Sequence, residues 1–204
     1  MSIWIGADPG GAEAFGLAML EDGCIVGTWV VDCAADAAKV VRGRLKAAPS
    51  GVGVDSPLWW SAGAGGGRKA DEWLRSTYKI PSGTVQSSNS LRGAALVQGA
   101  LFVHRLREIW PHVPVTESHP KALLRAMGSP SLGAVLAEYG VCTAVAVSSE
   151  HERDALLGAI AAREGFEGRW PRDLSRDRGA DEQDPSTYWL APVRYWWPDL
   201  QARG

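Results

Sequence analysis

"IWIGADPGGAEAFGLAML", residues 3–20, contains two apolar runs of strand length separated by an acid, a proline and two glycines. Ile, Trp and Phe suit a pleated, half-buried backbone, and Pro-Gly-Gly supplies the fixed and the free φ angles that a turn needs. The stretch predicts a strand over 3–7, a break at Asp8-Pro9-Gly10-Gly11 and a second strand over 15–20. Glu21-Asp22-Gly23 makes a tight turn into a third apolar run over 24–31, so the second and third strands form an antiparallel hairpin. The Ala-rich segment 34–47 carries apolar residues at helical spacing and stops at Pro49-Ser50-Gly51. Val52-Gly53-Val54-Asp55 then has the short, apolar character of a buried strand. Three strands, a helix and a fourth strand beside the first predict an α/β fold. Its mixed β-sheet is antiparallel in the first three strands and parallel thereafter, flanked by helices on both faces.

Downstream, 61–83 is polar and Gly-rich and reads as a surface insertion, with a helix over 69–78; loops of this length often act as lids. A long helix is expected over 90–109, closed by Pro111, then a short strand over 113–116. A helix over 120–127 carries Pro in its first turn. Segment 131–139 reads as helix, and 141–147 as a strand or a buried connector. Ser149 and Glu152 stand at capping-box spacing before a helix over 150–163. Residues 1–165 are expected to form the main domain. The remainder, 166–204, is an aromatic-rich extension laid against it through Tyr188, Trp189, Tyr195, Trp196 and Trp197.

With 204 residues the chain can fill one core. No apolar stretch reaches the roughly 18 residues of a membrane span, and no secretory leader is evident, so the expectation is a cytoplasmic protein with no membrane contact. Cys24, Cys33 and Cys142 are odd in number and lack C-x-x-C spacing, which predicts reduced, mostly buried thiols. A net charge of −2 gives no overall attraction to a polyanion. A nucleic-acid partner would have to be met by local Arg and Lys clusters.

Three predicted strands end on an acid: "IGADPG" with Asp8, "GVDSP" with Asp55 and "VTESHP" with Glu117. Ligands of open α/β sheets bind at the carboxyl ends of the strands, so acids recurring there converge. Each alone is a common turn former. Together they repel one another unless a cation lies between them. In "SSEHERDALLGAIAAREG", His151, Ala155, Gly158 and Ala162 form a stripe at helical spacing with Asp154 adjoining it. Small residues let that helix lie close to the sheet, which carries Asp154 and His151 towards the strand ends. Carboxylate oxygens without Cys suit Mg²⁺ or Mn²⁺. A pair of such ions would activate water for phosphodiester hydrolysis.

This order of elements and acids resembles the RNase H-like superfamily, and "HERDALLGAI" resembles the last helix of RuvC-type resolvases. "GADPGGAEAFGLAML", "GVDSPLWW", "SLRGAALVQGALF", "VTESHPKALL" and "HERDALLGAIAA" together resemble a family of unknown function described as predicted nucleases of RNase H fold. The resemblance implies a metal-dependent nuclease. Asp8, Asp55, Glu117 and Asp154 would hold Mg²⁺ or Mn²⁺, and His151 would be a fifth member of the site. Arg68, Arg92, His119 and Lys121 would contact a DNA or RNA substrate, while Arg92 and Lys121 read equally as a solvated helix face and His119 as the start of its helix. A homodimer is possible because the balanced net charge leaves phosphate contacts to be supplied with the help of a second copy, although the pairing of RuvC-type enzymes does not carry over to this sequence. Two other readings stay open at this point. "GADPGG" could hold phosphate as in actin-like or sugar-kinase-like ATPases, or the chain could be a non-catalytic binding module.

Overall fold

In the computed structural model, which describes residues 1–63, 66–87, 93–182 and 190–200, the opening stretch folds into β1 (Ile3–Asp8) and β2 (Phe15–Glu21). With β3 (Cys24–Val31) they form an antiparallel meander. Helix α1 (Ala34–Arg44) crosses over to β4 (Gly51–Val54), which pairs parallel with β1. There follow α2 (Lys69–Tyr78), α3 (Gly93–Ile109), β5 (Val115–Glu117), α4 (Pro120–Ala126) and α5 (Leu132–Glu138). The chain continues through β6 (Cys142–Thr143) and α6 (Glu150–Phe166) to a small β7–β8 ribbon (Arg172–Asp173, Trp196–Trp197). The sheet is six-stranded and mixed, in the order β5-β4-β1-β2-β3-β6. The α/β class, the hairpin and the parallel fourth strand follow the sequence expectation.

Alternation along the strands divides the core in two. Ile5, Ala7, Val52 and Val54 face one side and pack with Phe102 and Val103 of α3 and Ala37 and Val41 of α1. Trp4 and Leu20 face the other side and pack with α6. On that second face α6 lies against the backbone itself. A Cβ on Gly16 would stand 2.1 Å from the His151 carbonyl oxygen, one on Gly6 1.7 Å from that of Ala155, and one on Gly53 1.9 Å from that of Gly158. Glycine on three neighbouring strands thus admits the small-residue stripe predicted for this helix. Its start is fixed by the expected capping box between Ser149 and Glu152. The Glu152 carboxylate also accepts from the Thr28 hydroxyl at 2.9 Å, which ties the helix to β3.

Several expectations are corrected. The 61–83 stretch is not merely a surface insertion: Arg68, Ala70, Asp71 and Leu74 are buried, and α2 packs into the core on the α6 side of the sheet. Segment 141–147 yields only the two-residue, exposed β6. Cys24 and Cys142 are not reduced thiols but a disulfide: as partners in the β3–β6 register their Cα atoms lie 4.6 Å apart. A separation of 118 residues hid the pairing, because only the sheet topology brings them together. Cys33 is free. Tyr195 and Trp197 are buried, and residues 194–196 run alongside β5, with Glu117 N–H donating to the Arg194 carbonyl at 2.8 Å. Tyr188 and Trp189 lie outside the described residues. Among the described residues no helix is long and apolar enough to cross a membrane.

Candidate functional site

Asp8 and Asp55 sit two residues beyond Gly6 and Gly53, which are register partners in β1 and β4. The period of two therefore sends both carboxylates to the face covered by α6. The Asp55 N–H donates to the Ala7 carbonyl at 2.8 Å, so the two acids leave adjacent strand ends side by side. The glycine contacts fix the height of α6, and its first turns meet the same point. His151 Nδ1 lies 2.6 Å from Asp8 Oδ2. Asp154, one turn on, is buried, and Arg153 bonds to its Oδ1 at 2.7–2.8 Å.

Electrostatics ties these residues into one group. Burial, followed by the charges of Asp8 and Asp154, pushes the Asp55 carboxyl well above its usual range. Burial, opposed by Arg153 and reinforced by Asp8, lifts Asp154 to about 6. Asp8 is raised by burial and pulled back by the His151 contact. Lys121 lowers all three from across the site. Its ammonium is held by Glu150 at 3.1 Å, with Arg153 at the same distance from that carboxylate. Asp8, Asp55, His119 and Lys121 line a cleft of about 280 Å³, together with Ser56, Thr84 and Gln86.

Glu117 lines the same cleft and its charge adds to the rise of the Asp55 carboxyl, but its side chain is bonded elsewhere. It is the register partner of Val54, one residue out of phase with Asp55, so its carboxylate starts from the opposite face. Both its oxygens are engaged: Oε1 accepts from Arg68 Nη2 at 2.6 Å, and Oε2 accepts from Arg68 Nη1 at 2.8 Å and from the Leu58 N–H at 3.0 Å. Arg68 bonds Asp71 with equal commitment, through Nε and Nη2 at 2.8 Å, and stacks over the Trp59 ring at 4.3 Å. Glu117, expected as a metal ligand, and Arg68, expected to contact phosphate, are here held together in a buried ion cluster that pins the start of α2 to the end of β5. Such a cluster is tolerable only because each charge is paired and hydrogen-bonded.

His119 starts α4 at its N-cap and lines the cleft, and burial holds its pKa down at about 4, so the ring is neutral. Lys121 stands at the cleft rim, exposed. Arg92 lies outside the described residues.

The phase of Glu117 was readable in the sequence. Gly precedes Asp8 and Asp55 by two residues, whereas Val115, a core residue of the other face, holds that place before Glu117. The partnership of Arg68 with Glu117 had no such signal, since 49 residues separate them.

As the side chains lie, no group of three or more His, Cys, Asp or Glu among the described residues is close enough together to hold a metal ion. Carboxylate oxygens are the donors that a hard divalent cation takes. Burial raises all three aspartates, Asp8 and Asp154 raise Asp55 further and Asp8 raises Asp154, no thiolate is near, and their remaining partners are exchangeable side-chain contacts. Comparison with family models, with curated proteins and with solved structures finds no match to this chain.

Proposed function

We propose that this protein is a Mg²⁺- or Mn²⁺-dependent nuclease of RNase H-like fold, with Asp8, Asp55 and Asp154 as its acidic set. The observation that carries the reading is the convergence of these three carboxylates at the ends of β1 and β4 and on α6, where burial makes all three harder to ionise and the charges of Asp8 and Asp154 add to the effect on Asp55. Like charges gathered by tight backbone packing are relieved by a cation, and oxygen-only donors favour Mg²⁺ or Mn²⁺. The antiparallel first three strands, with a parallel fourth strand beside the first, support the fold assignment.

Asp8, Asp55 and Asp154 would hold the metal, with His151 orienting Asp8. When bound, such ions activate water and stabilise the charge that develops on a phosphodiester. Lys121 would exchange Glu150 for a substrate phosphate, placing a cation at the cleft that Asp8 and Asp55 also line. Neutral His119 and the Ser56 hydroxyl offer uncharged contacts along the cleft. Glu117, Asp71 and Arg68 hold the wall rigid and take no part in the chemistry.

The test is cleavage of single-stranded, duplex, hybrid and branched nucleic acids with Mn²⁺, comparing the wild-type chain with Asp8→Asn and Asp154→Asn. Metal-dependent cleavage lost in both variants is expected. Equal cleavage by wild type and variants, or none on any substrate by a chain that Mn²⁺ does not stabilise, would overturn the reading. Stabilisation by ATP in place of metal would favour the phosphotransfer alternative.

A further inference from the structure

We propose that a small cavity behind the cleft is a binding site for one water molecule, and that this water couples the C-terminal aromatic segment to the turn presenting Ser118 and His119. The cavity measures about 10 Å³ and is bounded by Leu157 and Ala161 of α6 and by Ser118, His119, Trp170 and Trp196. Each of the last four carries a buried polar atom without a protein partner: Ser118 Oγ, His119 Nδ1, Trp170 Nε1 and Trp196 Nε1. Buried polar atoms are rarely left unpaired, so four around one space imply a shared partner. The volume admits a single water and nothing larger, and a buried water needs two to four polar neighbours.

The donor and acceptor inventory selects water over an ion. The two indole N–H groups can only donate. The neutral His119 ring bonds the Thr84 backbone in the sense that favours a ring N–H, which leaves its unpartnered Nδ1 as an acceptor. A serine hydroxyl does either. Water accepts two hydrogen bonds and donates two, matching two indole donors, His119 Nδ1 and Ser118 Oγ. A cation would face two N–H dipoles, and an anion would face the imidazole lone pair.

The position of the site gives it a consequence. Ser118 and His119 line both this cavity and the cleft, whereas Trp170 and Trp196 line only the cavity. The main chain already joins the two parts, since the Glu117 N–H donates to the Arg194 carbonyl at 2.8 Å. The water adds a joint at side-chain level. Trp170 is then a positioning residue for His119, acting across the water from outside the cleft. The inference is independent of the nuclease reading and stands or falls without it.

The experiment uses the whole 204-residue chain. A high-resolution crystal structure should show one water at about 2.7–3.2 Å from the four atoms. Solution NMR should show a water cross-peak at the indole N–H of both Trp170 and Trp196. Trp170→Phe keeps a ring and removes one donor; it should abolish or weaken the cross-peak at Trp196 and move the His119 Nδ1 nitrogen resonance, leaving that of His112 in place. Ser118→Ala should also move the His119 resonance, and serves if the tryptophan variant folds poorly. A dry cavity in the wild-type crystal together with no water cross-peak overturns the site. A bound water with an unmoved His119 resonance in both variants overturns the coupling.

Discussion

Gly6 of β1 and Ala155 of α6 meet so closely that a Cβ on Gly6 would stand 1.7 Å from the Ala155 carbonyl oxygen. The contact is backbone on backbone, so no rotamer change can relieve it. Asp154 is the residue before Ala155 and Asp8 lies two beyond Gly6, which makes this contact the ruler for the acidic site.

Gly6→Ala is therefore expected to destabilise the protein by about 3 kcal/mol or more, at the upper end for overpacking, and to move α6 away from β1. Gly11→Ala, with nothing within 4 Å of the added Cβ, is the control and should cost little. Urea denaturation of both variants checks the difference. Equal stability in the two would mean that α6 does not sit where it is described.

Stability of the metal-free protein should fall as pH rises from about 4 to about 6. Asp154 titrates at about 6 in the fold against an ordinary 3.8, so in that window the folded state binds more protons than the unfolded one. The loss from this group amounts to up to about 3 kcal/mol, and Asp8 and Asp55 shift in the same sense. Denaturation in EDTA across this range measures the slope. Asp154→Asn should flatten it, and Mn²⁺ at neutral pH should restore what was lost; stability rising with pH would contradict the repulsion.

Glu117→Gln should destabilise by about 3–5 kcal/mol, because it leaves Arg68 charged, buried and short of a partner. Any Mn²⁺-induced rise in melting temperature should survive it, in contrast to Asp8→Asn, where that rise should vanish. Thermal melts of the two variants with and without Mn²⁺ separate the buried cluster from the acidic set.

Reduction of Cys24–Cys142, or Cys142→Ser, should lower stability by up to about 5 kcal/mol, the loop-entropy value for a closure of 118 residues. The comparison of melts with and without a dithiol reductant gives the figure. No change on reduction would mean that the bond does not form.

Alternation, turn chemistry and capping are local properties, and they were legible. The opening meander, the capping box on α6 and its small-residue stripe follow from spacings within about twenty residues, and the parallel return of β4 follows from the one helix that separates it from the meander. Acids at the ends of neighbouring strands pointed to one another, and strand alternation separates Glu117 from Asp8 and Asp55, since Gly6 and Gly53 stand where β5 has Val115. What the tertiary structure decided are contacts between distant segments of chain: Arg68 with Glu117, Cys24 with Cys142, and Trp170 and Trp196 around Ser118 and His119. Side chains of ordinary type carry no mark of a partner that lies far along the sequence. Only the order of strands in the sheet, and the close approach that glycine grants α6, turns them into pairs.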